Sequence, residues 1–128
     1  MDLAEQLIDA WRINCRINHF VLDGLTDAQF HAPLAKGKAV AGQFAHIHNV
    51  RRMWLRAVDL KVGDQLEKLE RGEHSRAELK AALEASDVAM SDVVTQGLET
   101  GRIKNFKPSP AAFVCYMVAH EGNHRASS

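Results

Sequence analysis

The sequence predicts an all-α protein, a four-helix bundle, and three observations predict it. Apolar residues recur at helical spacing in four separate segments, those segments carry capping residues at their ends, and no stretch of convincing length alternates with the period of two that marks a strand. At 128 residues, 46% hydrophobic and 25% charged, the chain has the size and apolar content of one core, so residues 1–128 read as a single domain.

The first helix opens at Asp2, which with Glu5 can form an N-cap box. It follows Leu3, Leu7, Ala10, Trp11, Asn14, Ile17 and Val21 to Asp23-Gly24, where Gly24 suits the position just past a helix end. Thr26 to Lys38 carries Pro33 and Gly37 and no sustained period, so it reads as a loop with a short turn after Thr26. The second helix begins near Val40 and runs to about Val58, with Gln43, His46, Val50, Met53, Trp54 and Ala57 as its inward stripe. Leu60 to His74 is a charged connection with glycines at 63 and 72. Ser75-Arg76-Ala77-Glu78 is then a capping box that opens a third helix through Leu79, Leu83, Ser86, Met90, Val93 and Gly97, stopping near Gly101. Ser109 followed by Pro110 is an N-cap with proline at the first helical position. The stripe Phe113, Tyr116, Met117, His120, His124 marks the fourth helix, expected to be short because the chain ends at Ser128. Connections of roughly eight to seventeen residues fit a bundle with one link longer than a plain hairpin loop. Trp11 and Trp54 are spaced as packing aromatics, and Cys15 and Cys115 as small buried hydrophobes rather than a disulfide.

Composition excludes several classes of function. Lys plus Arg (16) equals Asp plus Glu (16) and no run of like charge occurs, so the electrostatic footprint of a nucleic-acid partner is missing. No apolar run approaches the ~20 residues that span a bilayer, and Met1-Asp2-Leu3-Ala4-Glu5 has no basic leader region, so a cytoplasmic protein is expected.

The sharpest local signal is His120-Glu121-Gly122-Asn123-His124. Histidines at i and i+4 share one face of a helix and can chelate one ion, and both continue the predicted inward stripe. Burying two imidazoles is costly unless their nitrogens find partners, and a divalent metal satisfies both. A catalytic metal site normally has a third protein ligand, for which His46 on the second helix is the candidate. His48 lies about 200° further round that helix and should point away. His19, His31 and His74 receive no role. The same residues spell the H-E-x-x-H of zinc peptidases, but the downstream third ligand and the strand that would hold a peptide are both missing from the pattern.

His46 followed eight residues later by Trp54, within Gly42 to Trp54, together with the H-x-x-x-H-R of His120 to Arg125, resembles the DinB-like superfamily of metal-binding four-helix bundles. After Arg125 this chain has Ala126-Ser127-Ser128 where that family usually continues with Gly-Gln and further helix. The resemblance implies that His46, His120 and His124 bind nickel or zinc, that the protein is a homodimer, and that its activity is among those of the relatives, which include thiol-dependent S-transferases.

The expected function is therefore that of a metal-dependent hydrolase or thiol S-transferase acting on a small molecule, possessing an open metal position that activates water or a thiol. Glu121 is the candidate general base, with a solvated helix carboxylate as its plain alternative, and Tyr116 and Arg125 are candidate residues of the substrate pocket. The alternative is a non-catalytic dimeric module, structural or stress-related, in which a metal, or only the histidines without one, stabilises the bundle.

Overall fold

The computed structural model describes residues 2–33, 39–70 and 74–126, and is all-helical as expected. The order is α1 (Leu3–Gly24), α2 (Asp27–Phe30), α3 (Val40–Val58), α4 (Leu60–Asp64), α5 (Arg76–Thr100) and α6 (Pro110–Ala126). Among the described residues no strand forms, only isolated bridges between Pro33 and Ala39 and between Ile103 and Phe106. The four long helices are those predicted, with α6 the shortest at 17 residues. Two helices of a single turn, α2 and α4, occupy segments read as connections. The loop glycines 37 and 72 lie outside the described residues.

The capping chemistry places the ends. Asp2 Oδ1 accepts the Glu5 N–H at 2.8 Å, and Ser109 Oγ accepts the Ala112 N–H at 3.1 Å. Thr26 with Gln29 and Ser75 with Glu78 each form a reciprocal capping box at the starts of α2 and α5. Gly101 ends α5 in the left-handed region (φ 82°), where a Cβ would be strained. Gly24 does not play the matching part at the end of α1, since it stays helical. There Arg76 instead donates to the carbonyls of Leu22 and Leu25.

Two apolar cores fill the bundle. One joins Trp11, Cys15, Leu55, Met90, Val94, Phe113 and Met117, and the other Leu22, Phe30, Val40, Phe44, Ile47, Leu79 and Leu83. Following each helix from one core to the other gives the topology. α1 leaves the first core and reaches the second, α3 and α5 both run the opposite way, and α6 starts in the first core. Because α3 and α5 are parallel, the chain between them must return the length of the bundle. Segment 65–70 does so alongside α3, held by Arg52 to the Leu66 carbonyl, His48 to the Glu67 carbonyl and Asn49 to both backbone groups of Leu69. This is the physical reason for the long link. It starts with α4, which lies so close to α3 that a Cβ on Gly63 would come within 2.5 Å of the Arg56 nitrogen.

Between the two cores lies a buried polar layer of Asn14, Asn18, Arg51, Ser86 and Glu121. It explains where the sequence reading was one residue out. The buried side of α3 is Val40, Phe44, Ile47, Arg51 and Leu55, and that of α6 is Phe113, Val114, Met117 and Glu121. Relative to the stripes proposed above, α3 is turned by about 100°, one helical position, and α6 by a smaller angle in the same sense, since Phe113 and Met117 belong to both faces. Met53 is accordingly 55% exposed and Tyr116 42% exposed. Cys115 is also exposed, contrary to its reading as a buried hydrophobe, while Cys15 is buried as expected.

Candidate metal centre

The rotation of α3 and α6 moves the predicted triad out of the bundle core and onto the flank where these two helices face each other. His46, His120 and His124 are each half-buried and offer ligand atoms that all lie within 4.8 Å of one another. The rings of His46 and His124 are 4.5 Å apart between centroids, those of His120 and His124 4.6 Å, and those of His46 and His120 6.0 Å. His124 Nδ1 lies 2.8 Å from Gln43 Oε1, one turn before His46 on α3. Since an amide oxygen only accepts, Nδ1 carries the proton, and in the neutral ring Nε2 presents a lone pair.

That lone pair meets Nε2 of His120 at 3.3 Å. Two such nitrogens repel unless a proton or a cation lies between them. Two nitrogens bound at ~2.0–2.1 Å and a tetrahedral angle to one ion stand about 3.3 Å apart. The spacing of this pair and the three-imidazole donor set therefore fit a divalent metal ion, for which imidazole is a suitable ligand. His120 Nδ1 is buried with no hydrogen-bond partner. Tyr116, one turn earlier on α6, stacks on the His120 ring (6.0 Å, 24°) and touches Trp54 and Phe106, so an aromatic wall flanks the histidines.

Glu121 is placed otherwise than either reading of it. It is neither solvated nor turned towards the histidines as a general base would be, but fully buried, with both oxygens engaged. Arg51 donates from Nε to Oε2 and from Nη2 to Oε1, each at 2.8 Å, while Asn14 and Asn18 donate to Oε1 at 2.9 and 3.1 Å. The base of an H-E-x-x-H peptidase is thus turned into the bundle, away from the histidines that would hold its metal. Arg125 likewise closes this network rather than standing open in a pocket, donating to Asn14 Oδ1 and Asn18 Oδ1 at 2.7 and 2.8 Å. Burial holds its guanidinium below the ordinary value.

Arg51 itself was missed by the sequence reading. It is completely buried, donates also to Ser86 Oγ (2.9 Å) and Asp87 Oδ1 (2.7 Å), and lies over the Trp11 ring at 5.1 Å. Asp87 in turn meets His19 Nε2 at 2.8 Å, which gives a partner to a histidine read as having no role. Burial alone would lower the Arg51 pKa, but the Glu121 and Asp87 carboxylates raise it above its usual value, so the charge is fixed. A signal was available: Asn14 and Ser86 fall on core stripes, and polar residues in that phase call for a buried partner.

His48 points away from the triad as expected, yet it is buried rather than solvated, with Nε2 donating to the Glu67 carbonyl. It borders a cavity of about 390 Å³ lined also by Leu66, Leu69, Glu78 and Ala82, which contains none of the three histidines. The convergence of three donor atoms, not cavity size, marks the candidate site.

The fold and this site meet an independent comparison. The family model described as the DinB family matches residues 1–127. No curated protein and no solved structure matches the chain.

Proposed function

The chain belongs to the DinB family, and from that premise we propose that it is a metal-dependent enzyme, a hydrolase or thiol S-transferase acting on a small molecule. His46, His120 and His124 would hold one divalent ion, zinc or nickel. The observation that carries this reading is the convergence of three histidine donors from two helices on a half-buried flank, since three neutral ligands at an accessible place leave a coordination position for a substrate or water. When bound, such an ion supplies Lewis acidity, which makes water or a thiol a usable nucleophile at neutral pH.

The chain's own residues do the rest. Gln43 accepts from His124 Nδ1 and so orients that ring and sets its tautomer. Tyr116, half-exposed over His120, is the wall against which an apolar part of the substrate would lie. Glu121 and Arg125 act in this reading from behind the site, through the buried network, rather than by touching substrate. We further place the protein in the cytoplasm as a homodimer. Its two free cysteines are in keeping with a reducing compartment, and no described helix is long and apolar enough to cross a membrane. Leu3, Ile13, Ile17 and Phe20 form an exposed apolar stripe along the outer face of α1, which a second copy would cover.

Elemental mass spectrometry of the purified full chain tests the reading. It should find one equivalent of nickel or zinc, lost in the His120→Ala/His124→Ala variant. Absence of metal even after reconstitution, or its retention in the variant, would overturn the assignment and leave a structural bundle.

A further inference from the structure

The geometry points to Arg51 as a positioning residue for the histidine triad, acting through Glu121. This rests on the reading of the triad as a metal site. The two halves of that site lie on α3 and α6, and the Arg51–Glu121 pair joins the same two helices. Arg51 follows His46 by five residues on α3, and Glu121 is the immediate neighbour of His120 on α6. The bond is bidentate, 2.8 Å at both contacts, with neither side chain exposed to solvent. A planar fork closed on a carboxylate fixes separation and rotation together, which a single contact does not.

Apolar patterning alone leaves that rotation undecided. The stripe Phe113, Tyr116, Met117, His120, His124 is nearly as good an inward face for α6 as the one that is buried. A turn of one position would draw His120 and His124 into the core and carry Glu121 towards the surface. In a layer of aliphatic side chains such a turn would meet little resistance. Here it breaks the guanidinium–carboxylate fork and the contacts of Asn14 and Asn18 with Glu121. Ser86 and Asp87 on α5 hold the other side of Arg51, so the guanidinium cannot follow. A buried ion pair adds little net stability over a well-packed apolar pair, and its best-attested use is to select one register among several. In this protein the selected register is the one that sets His120 and His124 opposite His46 on the flank.

The test replaces the charged pair by a neutral one of similar size, Arg51→Met/Glu121→Gln, in the full chain. The glutamine oxygen can still accept from Asn14 and Asn18. Helix content is followed by circular dichroism, Zn²⁺ affinity by competition with a chromophoric chelator, and ligand geometry by the visible spectrum of the Co²⁺-loaded protein. The expected result is a folded variant of wild-type helix content whose Zn²⁺ affinity is weaker by about 10–100-fold, the range found when residues supporting metal ligands are altered, and whose Co²⁺ spectrum is changed. Gly63→Ala, which disturbs packing between α3 and α4 away from the triad, should leave both readouts unchanged. A folded double variant with wild-type affinity and spectrum would overturn the proposal. If the double variant does not fold, Glu121→Gln alone is read in the same way, and unfolding of both would make the pair a stability element and overturn the positioning role. Failure of the wild type itself to bind Zn²⁺ or Co²⁺ would instead refute the metal reading, before any variant is compared.

Discussion

Replacing Arg51 by methionine removes the fully buried cation that is bound to Glu121 while keeping most of its apolar volume. What remains is the carboxylate of Glu121, completely buried, with the Asn14 and Asn18 amides as donors, and Asp87 without its guanidinium partner. Leaving such a charge unpaired costs about 3–5 kcal/mol, a large share of the ~5–15 kcal/mol by which domains are stable. For a chain of this size that corresponds to a melting point lower by roughly 10–20 °C. Urea unfolding at neutral pH, followed by far-ultraviolet circular dichroism, measures it directly. Adding Glu121→Gln should restore part of the loss, giving a coupling of about 1–3 kcal/mol in a double-mutant cycle. A single-variant cost below about 1 kcal/mol, or strict additivity in the cycle, would refute the claim that these two charges depend on each other.

Three further outcomes follow from individual side chains. His48→Ala should leave metal content intact yet cost about 1–3 kcal/mol, because it removes a buried donor to the Glu67 carbonyl that ties down segment 65–70; loss of metal instead would reverse the choice between His46 and His48. Gly63→Ala should destabilise by about 1–3 kcal/mol in thermal melts despite alanine's better helix propensity, since its Cβ would approach the Arg56 nitrogen and Cα to 2.5 and 2.7 Å, and an unchanged melting point would show that α4 moves away freely. A thiol reagent should modify Cys115 alone in the native protein, because burial pushes the Cys15 thiol above its ordinary value. The unfolded chain then ionises Cys15 first, so this contribution to stability is intact below pH 9.0 and falls as pH rises beyond it; Cys15→Ala should flatten that alkaline limb, and two fast-reacting thiols would disprove the burial.

Helix existence and helix ends were legible because their causes are local. Ser75 with Glu78, Ser109 with Pro110 and Gly101 each act within a few residues of themselves, so the sequence carries the whole of the interaction. Helix rotation was not, because it is settled by partners more than thirty positions away. Arg51 finds Ser86 and Asp87 across 35 and 36 residues and Glu121 across 70, and no periodicity within α3 could disclose them. The triad was legible all the same, since the i, i+4 spacing of His120 and His124 holds whichever way α6 is turned. The surroundings of Glu121 and Arg125 depended entirely on the turn, and those are the residues whose placement differs from expectation. Asn14 in the predicted stripe of α1 and Ser86 in that of α5 were the traces of this layer that the linear pattern contained.

The polar layer also bears on how the molecule opens. Its members come from α1 (Asn14, Asn18), α3 (Arg51), α5 (Ser86, Asp87) and α6 (Glu121, Arg125). Lifting any one long helix therefore strands charges or amides on the helices it is bonded to, in the interior, without those partners. Partial openings that a wholly aliphatic interior would tolerate are penalised, and the four helices are tied into one cooperative unit. Slow amide hydrogen exchange near Asn18, Arg51, Ser86 and Met117 should then share a single opening free energy, that of global unfolding, while the single-turn helices α2 and α4 exchange earlier.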